Sequence, residues 1–186
     1  MRIITGEFKG RKLKVPKGLD IRPAADRVKE TIFNILVNKI NFLGINVLDL
    51  FAGTGSLGIE AISRGAKRVK FVDLSKEALL IIKNNISELN CAEKCDLIKD
   101  DGLNYLKKCE EAFDLIFADP PYSYKFTDQI PQIIFEKALL KKNGYLLIEH
   151  SYRYNFSKIE NCITTFKRKF GNTLITFFSY NKLETS

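Results

Sequence analysis

Residues 45–149 predict an α/β fold, a mostly parallel sheet layered with helices, and residues 162–180 predict an antiparallel hairpin that closes it. Three observations carry this. Short apolar runs alternate with amphipathic helical stretches. A glycine-rich turn, Gly53-x-Gly55-x-x-Gly58, joins a strand to a helix in the Rossmann-like manner. Two β-rich segments, Cys162 to Lys169 and Thr173 to Tyr180, are separated only by Gly171-Asn172, a tight-turn signal; strands joined so closely run antiparallel.

The elements follow in order. Arg2-Ile3-Ile4-Thr5 and Arg11-Lys12-Leu13-Lys14-Val15 read as the arms of a small hairpin framed by Gly6 and Gly10. Gly18 to Pro23 is a loop that presents Arg22. A helix is expected from about Ala25 to Lys39, because Val28, Ile32, Ile35, Leu36 and Ile40 recur at helical spacing and Asp26 and Glu30 suit the helix dipole. Asn46 to Leu50 is a strand, and the glycine turn leads into a helix ending near Ser63. Lys67 to Val72 is the next strand, ending at Asp73. Ser75 caps a helix whose Ala78, Leu79, Ile82, Ile86 and Leu89 form one apolar stripe. Leu97 to Lys99 is a short strand, Leu103 to Lys108 a short helix, and Phe113 to Ala118 a fully buried strand. Thr127 or Asp128 is expected to cap a further helix that carries Pro131 in its first turn and stops at Asn143-Gly144. Tyr145 to Glu149 is a strand.

A chain of 186 residues suits one domain, with residues 1–20 as a basic hairpin extension and 21–186 as the core. The net charge is +8. It is uneven: residues 1–40 carry ten basic and four acidic side chains, residues 41–149 fourteen and sixteen, and residues 150–186 six and two. A near-neutral body with basic ends suits a polyanion, and nucleic acid fits better than a membrane because no hydrophobic basic helix is present. Lys9, Arg11, Lys12 and Lys14, with Arg22, are the candidate nucleic-acid contacts. No apolar run approaches the roughly 20 residues of a membrane span, and the amino terminus turns basic too quickly for a signal peptide, so a cytoplasmic monomer is expected. Cys91, Cys95, Cys109 and Cys162 contain no Cys-x-x-Cys pair and His150 is the sole histidine, which suits reduced thiols and no metal site.

The most specific stretch is Asp119-Pro120-Pro121-Tyr122, directly after the buried strand. Neither proline can continue the ladder, and the residue before a proline avoids the α region. The exit is stiff and extended, so an acid, free carbonyls and a ring point outward at the sheet edge where α/β proteins bind ligands. Asp49, Asp73, Asp101 and Asp119 close four successive strands at that same edge. A pyrophosphate would be repelled by Asp49 beside the glycine loop, whereas the α-ammonium of S-adenosylmethionine would be attracted. Asp73 would then accept the ribose hydroxyls and Asp101 the adenine amine. Asp119 and the Pro120 carbonyl can accept both hydrogens of a planar amino group, localise its lone pair and aim it at a sulfonium methyl, while Tyr122 stacks on the plane. No metal is needed.

Residues 45–122 resemble class I amino-methyltransferases through Asp49-Leu50-Phe51-Ala52-Gly53-Thr54-Gly55 and Asp119-Pro120-Pro121-Tyr122. The whole chain resembles the bacterial 16S rRNA guanine-N2 methyltransferases of the small ribosomal subunit, through Arg2-Ile3-Ile4-x-Gly6, Gly10-Arg11-Lys12-Leu13 and Arg22-Pro23-x-x-Asp26-Arg27-Val28-x-Glu30. The resemblance implies a Rossmann-like class I methyltransferase with a seven-stranded sheet whose last hairpin is antiparallel. It implies S-adenosylmethionine as methyl donor, held by Asp49, Phe51, Gly53, Thr54, Gly55, Asp73, Leu74, Asp101 and Gly102. It implies catalysis by Asp119, Pro120, Pro121 and Tyr122 on one guanine of 16S rRNA, in an assembled or assembling small subunit. Arg22 and Arg27 could contact phosphate, contact the cofactor carboxylate or pack the helix. Two other readings compete. A DNA adenine-N6 methyltransferase uses a similar motif but needs more base-reading surface. An NAD-dependent oxidoreductase explains the glycines but leaves Asp49 and the prolines idle.

Overall fold

A computed structural model describes residues 1–15 and 23–181, with backbone alone for residues 23–25. Arg22 lies outside the described residues. Among the described residues one sheet holds seven strands, β1 (Asn46–Leu50), β2 (Arg68–Asp73), β3 (Cys95–Lys99), β4 (Phe113–Ala118), β5 (Leu140–Ser151), β6 (Cys162–Phe170) and β7 (Thr173–Tyr180). Their order is β3-β2-β1-β4-β5-β7-β6. The first five run parallel, and β7 is antiparallel to both β5 and β6. Chain order reverses between β1 and β4, which creates the crevice at the strands' carboxyl ends where such sheets bind ligands.

Among the described residues five α-helices cover the two faces: α1 (Pro23–Leu36), α2 (Ser56–Ser63), α3 (Lys76–Glu88), α4 (Gly102–Lys108) and α5 (Gln129–Glu136). Side chains alternate along a strand, so each strand feeds two cores. Val47, Leu115, Phe117 and Leu147 face Ile32 and Phe33 of α1, Ile59 of α2 and Ile82 of α3. Leu48, Leu50, Ile116, Ala118 and Ile148 face Leu103 and Leu106 of α4 and Ile130 and Ile134 of α5.

The amino-terminal segment is more deeply embedded than a hairpin extension. Arg2 and Lys12 form a single antiparallel bridge rather than a ladder. Ile3, Phe8 and Leu13, five residues apart, are buried in the first core. Backbone bonds still close the expected turn, Ile3 N–H to the Arg11 carbonyl at 3.0 Å, Gly10 N–H to the Ile3 carbonyl at 2.8 Å and Leu13 N–H to the Met1 carbonyl at 3.1 Å, while the tip between them docks onto α2. Ile4 and Thr5 N–H donate to the Glu60 carboxylate at 2.8 and 3.0 Å, and Glu7 N–H donates to the Ser63 carbonyl at 2.7 Å. Gly6, with φ of 89°, passes so close that a Cβ would lie 1.8 Å from the Ser63 oxygen. The buried Glu60 also accepts from Arg64 Nε at 2.9 Å, so its charge is compensated.

Three expectations are corrected, two helix ends and one cap. Helix α1 stops at Leu36, where Lys39 and Ile40 N–H both turn back to the Leu36 carbonyl at 2.8 and 2.9 Å. Helix α5 stops at Glu136, not at Asn143-Gly144. The chain reverses through Ala138, φ 53°, to bury Leu139 and Leu140, and β5 starts there. Asn143-Gly144 instead occupies the irregular stretch where the β4–β5 register shifts between Phe113 and Leu115. A Cβ on Gly144 would lie 2.8 Å from the Asp114 carbonyl, so this glycine serves a close strand approach. Ser75 caps α3 as expected, accepting from Ala78 N–H at 3.2 Å. Neither Thr127 nor Asp128 caps α5 by side chain. The Thr127 hydroxyl donates to the Tyr124 carbonyl at 3.0 Å, and the Asp128 carboxylate accepts from Ser157 N–H and Oγ at 3.0 and 2.7 Å. All four cysteines are free thiols.

Candidate active site

The crevice holds an open cleft of about 310 Å³. Its walls include Asp49, Phe51, Gly53 and Thr54 from the β1–α2 side, Asp119 from the end of β4, Glu149 from β5 and Lys29 from α1. Asp73, Leu74, Asp101, Gly102 and Tyr122 do not line this cleft; they flank it through the contacts below.

The glycine loop is built for close backbone passage. Phe51, Gly53 and Gly55 all adopt left-handed backbone, with φ of 56, 53 and 73°. For Phe51 that conformation is strained, since its Cβ crowds the carbonyl there. Its ring lies against Gly102, where a Cβ would come within 2.6 Å of it, and stands edge-on to Tyr124 at 4.9 Å. Gly58, at the start of α2, leaves room for the Phe71 ring, which a Cβ would meet at 2.3 Å.

Three rim acids are fastened to backbone. Asp49, almost completely buried, accepts from Gly58 N–H at 2.9 Å. Burial pushes its carboxyl up to about 8, partly opposed by that hydrogen bond and reinforced by Asp73. Asp73 accepts from Gly53 and Ser75 N–H, each at 2.8 Å. Asp101 caps α4 through Leu103 and Asn104 N–H at 3.0 and 3.1 Å and also accepts from the Tyr124 hydroxyl at 3.0 Å. Its carboxylate therefore already has three donors. Burial, then the Asp101 bond, raises the Tyr124 phenol to about 12.

Asp119 and Glu149 differ. Among the described residues neither carboxylate accepts a hydrogen bond. Asp119 is exposed to the cleft, yet the atoms crowded round its carboxyl thin the water there and raise it above the ordinary carboxyl range, and Glu149 and then Asp49 add to the rise. Glu149 is half-buried, and burial raises it too. The Asp119 side chain opens on the cleft, whereas Pro120 is buried. Pro121 accepts from Tyr124 N–H at 2.8 Å, and among the described residues the Pro120 carbonyl has no donor. Tyr122 stands at the mouth, 66% exposed, with its hydroxyl against that of Thr173 at the β6–β7 turn. Lys29 is buried; its ammonium donates to the Arg2 carbonyl at 2.7 Å and lies 3.8 Å from Glu60. Burial lowers its pKa, against the pull of Glu60 and Asp26.

Glu149 and Lys29 were not singled out in the sequence. Glu149 carries a readable signal, an acid ending an apolar strand like the other four. Lys29 carries none, since a lysine between Val28 and Ile32 reads as a solvated helix position. Of the basic arm, Arg11 donates to the Glu88 carbonyl at 3.1 Å and Lys14 pairs with the Glu88 carboxylate, both at the end of α3. Lys9 and Lys12 are exposed and have no acidic partner among the described residues.

The strand order, the glycine loop and the rim acids define a Rossmann-like class I methyltransferase. The chain belongs to the family described as conserved hypothetical protein 95, which matches residues 1–179. It is 40% identical over 152 residues to ribosomal RNA small subunit methyltransferase D of Haemophilus influenzae, covering 80% of this chain and 78% of that one. It is 32% identical over 165 residues to the protein of the same name from Escherichia coli, covering 89% and 78%. The solved structure of a presumed methylase from Haemophilus influenzae matches with a TM-score of 0.80 at 34% identity, over 96% of this chain and 97% of that chain. Among the described residues no helix is long and apolar enough to cross a membrane.

Proposed function

We propose that this chain transfers the methyl group of S-adenosylmethionine to the exocyclic N2 amine of a guanine in small-subunit ribosomal RNA. The observation that carries the reading is the pair of free acceptors, the Asp119 carboxylate and the Pro120 carbonyl, beside a cleft walled by a glycine loop and Asp49. The names of the relatives support ribosomal RNA as the substrate.

The residues present fit the cofactor. Asp49 suits an α-ammonium, Asp73 a vicinal diol, and the glycine-lined wall and Phe51 leave room for a flat nucleoside. When bound, the cofactor supplies an electrophilic methyl on a sulfonium. The protein's part is positioning and charge. Asp119 and the Pro120 carbonyl accept the two N–H bonds of the amine and localise its lone pair, while the Tyr122 ring offers a stacking face at the mouth. The raised pKa of Asp119 falls back when a cation sits beside it, so the carboxylate can ionise in the loaded site. As the nitrogen gains the methyl it loses a proton, and Asp119 is the nearest acceptor.

The test is to incubate labelled S-adenosylmethionine with small subunits from a strain lacking this gene and to map the product. N2-methylguanine at one position in the 16S RNA is the expected result. Label on adenine, or on protein, would end the proposal.

A further inference from the structure

Strand register fixes where Glu149 points. Leu50, Ala118 and Ile148 are partners across β1, β4 and β5, and all three face α4 and α5. Side chains alternate along a strand, so the next residues, Asp119 and Glu149, both turn to the opposite face. That is the face of Asp49 and Phe117, under α1. Neighbouring strands lie ~4.8 Å apart, which makes the two carboxyls side-by-side neighbours, and both line the same cleft. The other three rim acids spend their oxygens on backbone N–H groups; these two have no donor among the described residues. The site thus offers adjacent acceptors and lacks adjacent donors.

That pattern discriminates among the amino-bearing bases. Beside its exocyclic amine, guanine has N1–H, a second donor in the same plane. Adenine has the bare lone pair of N1 there, and cytosine that of N3; Glu149, ionised in the loaded site as Asp119 is, repels either. We infer that Glu149 accepts the N1–H of the guanine whose N2 amine Asp119 and Pro120 engage, and so selects guanine over adenine and cytosine. This rests on the proposed function and assigns a base-reading role to a residue outside the Asp-Pro-Pro-Tyr motif. Lys29, which lines the cleft, is held by the Arg2 carbonyl and Glu60, and among the described residues it forms no ion pair with Glu149.

The experiment uses the full-length protein, wild type and Glu149→Gln, on small-subunit RNA joined by ligation so that the modified position carries guanine or 2-aminopurine. 2-Aminopurine keeps the N2 amine but presents a lone pair at N1. Wild type should prefer guanine by at least tenfold in kcat/KM. Glu149→Gln should lose about 10–100-fold on guanine, the order expected for one hydrogen bond to a charged group. Its preference should collapse towards unity, because the Gln amide can donate to a bare N1. Adenosylhomocysteine affinity, unchanged within about threefold, would show that the fold and the cofactor half survive. If wild type makes N2-methylguanine while the variant keeps the full preference, Glu149 is not the reader. A tenfold loss of adenosylhomocysteine binding in the variant would assign it to the cofactor and also overturn the inference. If wild type makes no N2-methylguanine, the proposed function falls, and this inference with it.

Discussion

The two halves of the carboxyl-end rim are built on opposite plans. In the half formed by β1, β2 and β3, each acid is tied down: Asp49 by Gly58, Asp73 by Gly53 and Ser75, Asp101 by the first turn of α4 and by Tyr124. In the half formed by β4 and β5, Asp119 and Glu149 stand side by side without donors among the described residues, and both carboxyls are raised. Tied acids orient the loop before anything binds, although burial still raises Asp49. Free, neighbouring acids are unfavourable in the empty protein and become favourable when N–H donors arrive. The first half is thus preorganised for a ligand, and the second is unsatisfied until a base enters.

The largest effect that separates the halves should come from Asp119→Asn. Removing the charged acceptor is expected to lower kcat/KM for methyl transfer about 10²–10⁴-fold, the usual span for a proton-accepting group. Adenosylhomocysteine affinity, read by calorimetry, should hardly move. If cofactor affinity collapsed along with transfer, the two halves would not be separable. The complementary change is Asp49→Asn. A buried hydrogen bond to a charged group supports about 10–100-fold in cofactor affinity, with kcat at saturating cofactor much less affected.

Asp49 also sets a pH signature. A carboxyl whose folded-state pKa is raised favours the protonated fold. Its contribution is complete below the ordinary value of 3.8 and is lost as pH climbs through about 8. The cofactor-free protein should therefore lose melting temperature as pH is raised through that range, and Asp49→Asn should flatten the decline. Saturating adenosylhomocysteine, whose ammonium compensates the charge, should flatten it as well. A wild-type protein that grew more stable over the same interval would remove the basis for placing Asp49 in a dry, uncompensated position.

Much of this contrast was legible in the sequence, and the omissions have physical causes. β4 and β7 occupy the expected spans, Phe113–Ala118 and Thr173–Tyr180, because an apolar run ended by prolines and a Gly-Asn turn allow little choice. The end of α5 was misplaced because Asn-Gly marks a helix stop and a strand irregularity equally well; only the close approach to the Asp114 carbonyl distinguishes them. The amino-terminal turn between Gly6 and Gly10 is legible and is closed by bonds between the two arms, but its docking is not: Ile3, Phe8 and Leu13 are buried, and Ile4 and Thr5 N–H go to Glu60 of α2, a partner distant in sequence. Glu149 ends an apolar run as the other acids do, but its place beside Asp119 comes from register with Ala118 and Ile148, a relation between strands that no local pattern encodes.

Gly102→Ala should sharpen the cofactor half further. The new Cβ would press on the Phe51 ring at 2.6 Å. Overpacking of this kind costs about 1–3 kcal/mol. Because Phe51 also holds a strained backbone conformation beside the glycine loop, part of that cost should appear as weaker adenosylhomocysteine binding. An equal loss of stability with unchanged affinity would make Gly102 a packing residue only.

The smallest expected effect concerns the basic arm, and it distinguishes cations that the sequence groups together. Arg11 and Lys14 are engaged at Glu88, whereas Lys9 and Lys12 are exposed without an acidic partner among the described residues. Counterion release requires a cation that can approach a phosphate, and each such contact adds about one unit to the slope of log affinity against log salt. Lys9→Ala with Lys12→Ala should therefore shallow the slope for RNA binding by about two units. Arg11→Ala with Lys14→Ala should shallow it by less, since those side chains must first leave Glu88, and should instead loosen the arm on α3. Equal slopes for the two double variants would mean that the Glu88 contacts yield to RNA. In that case the arm acts as one basic surface.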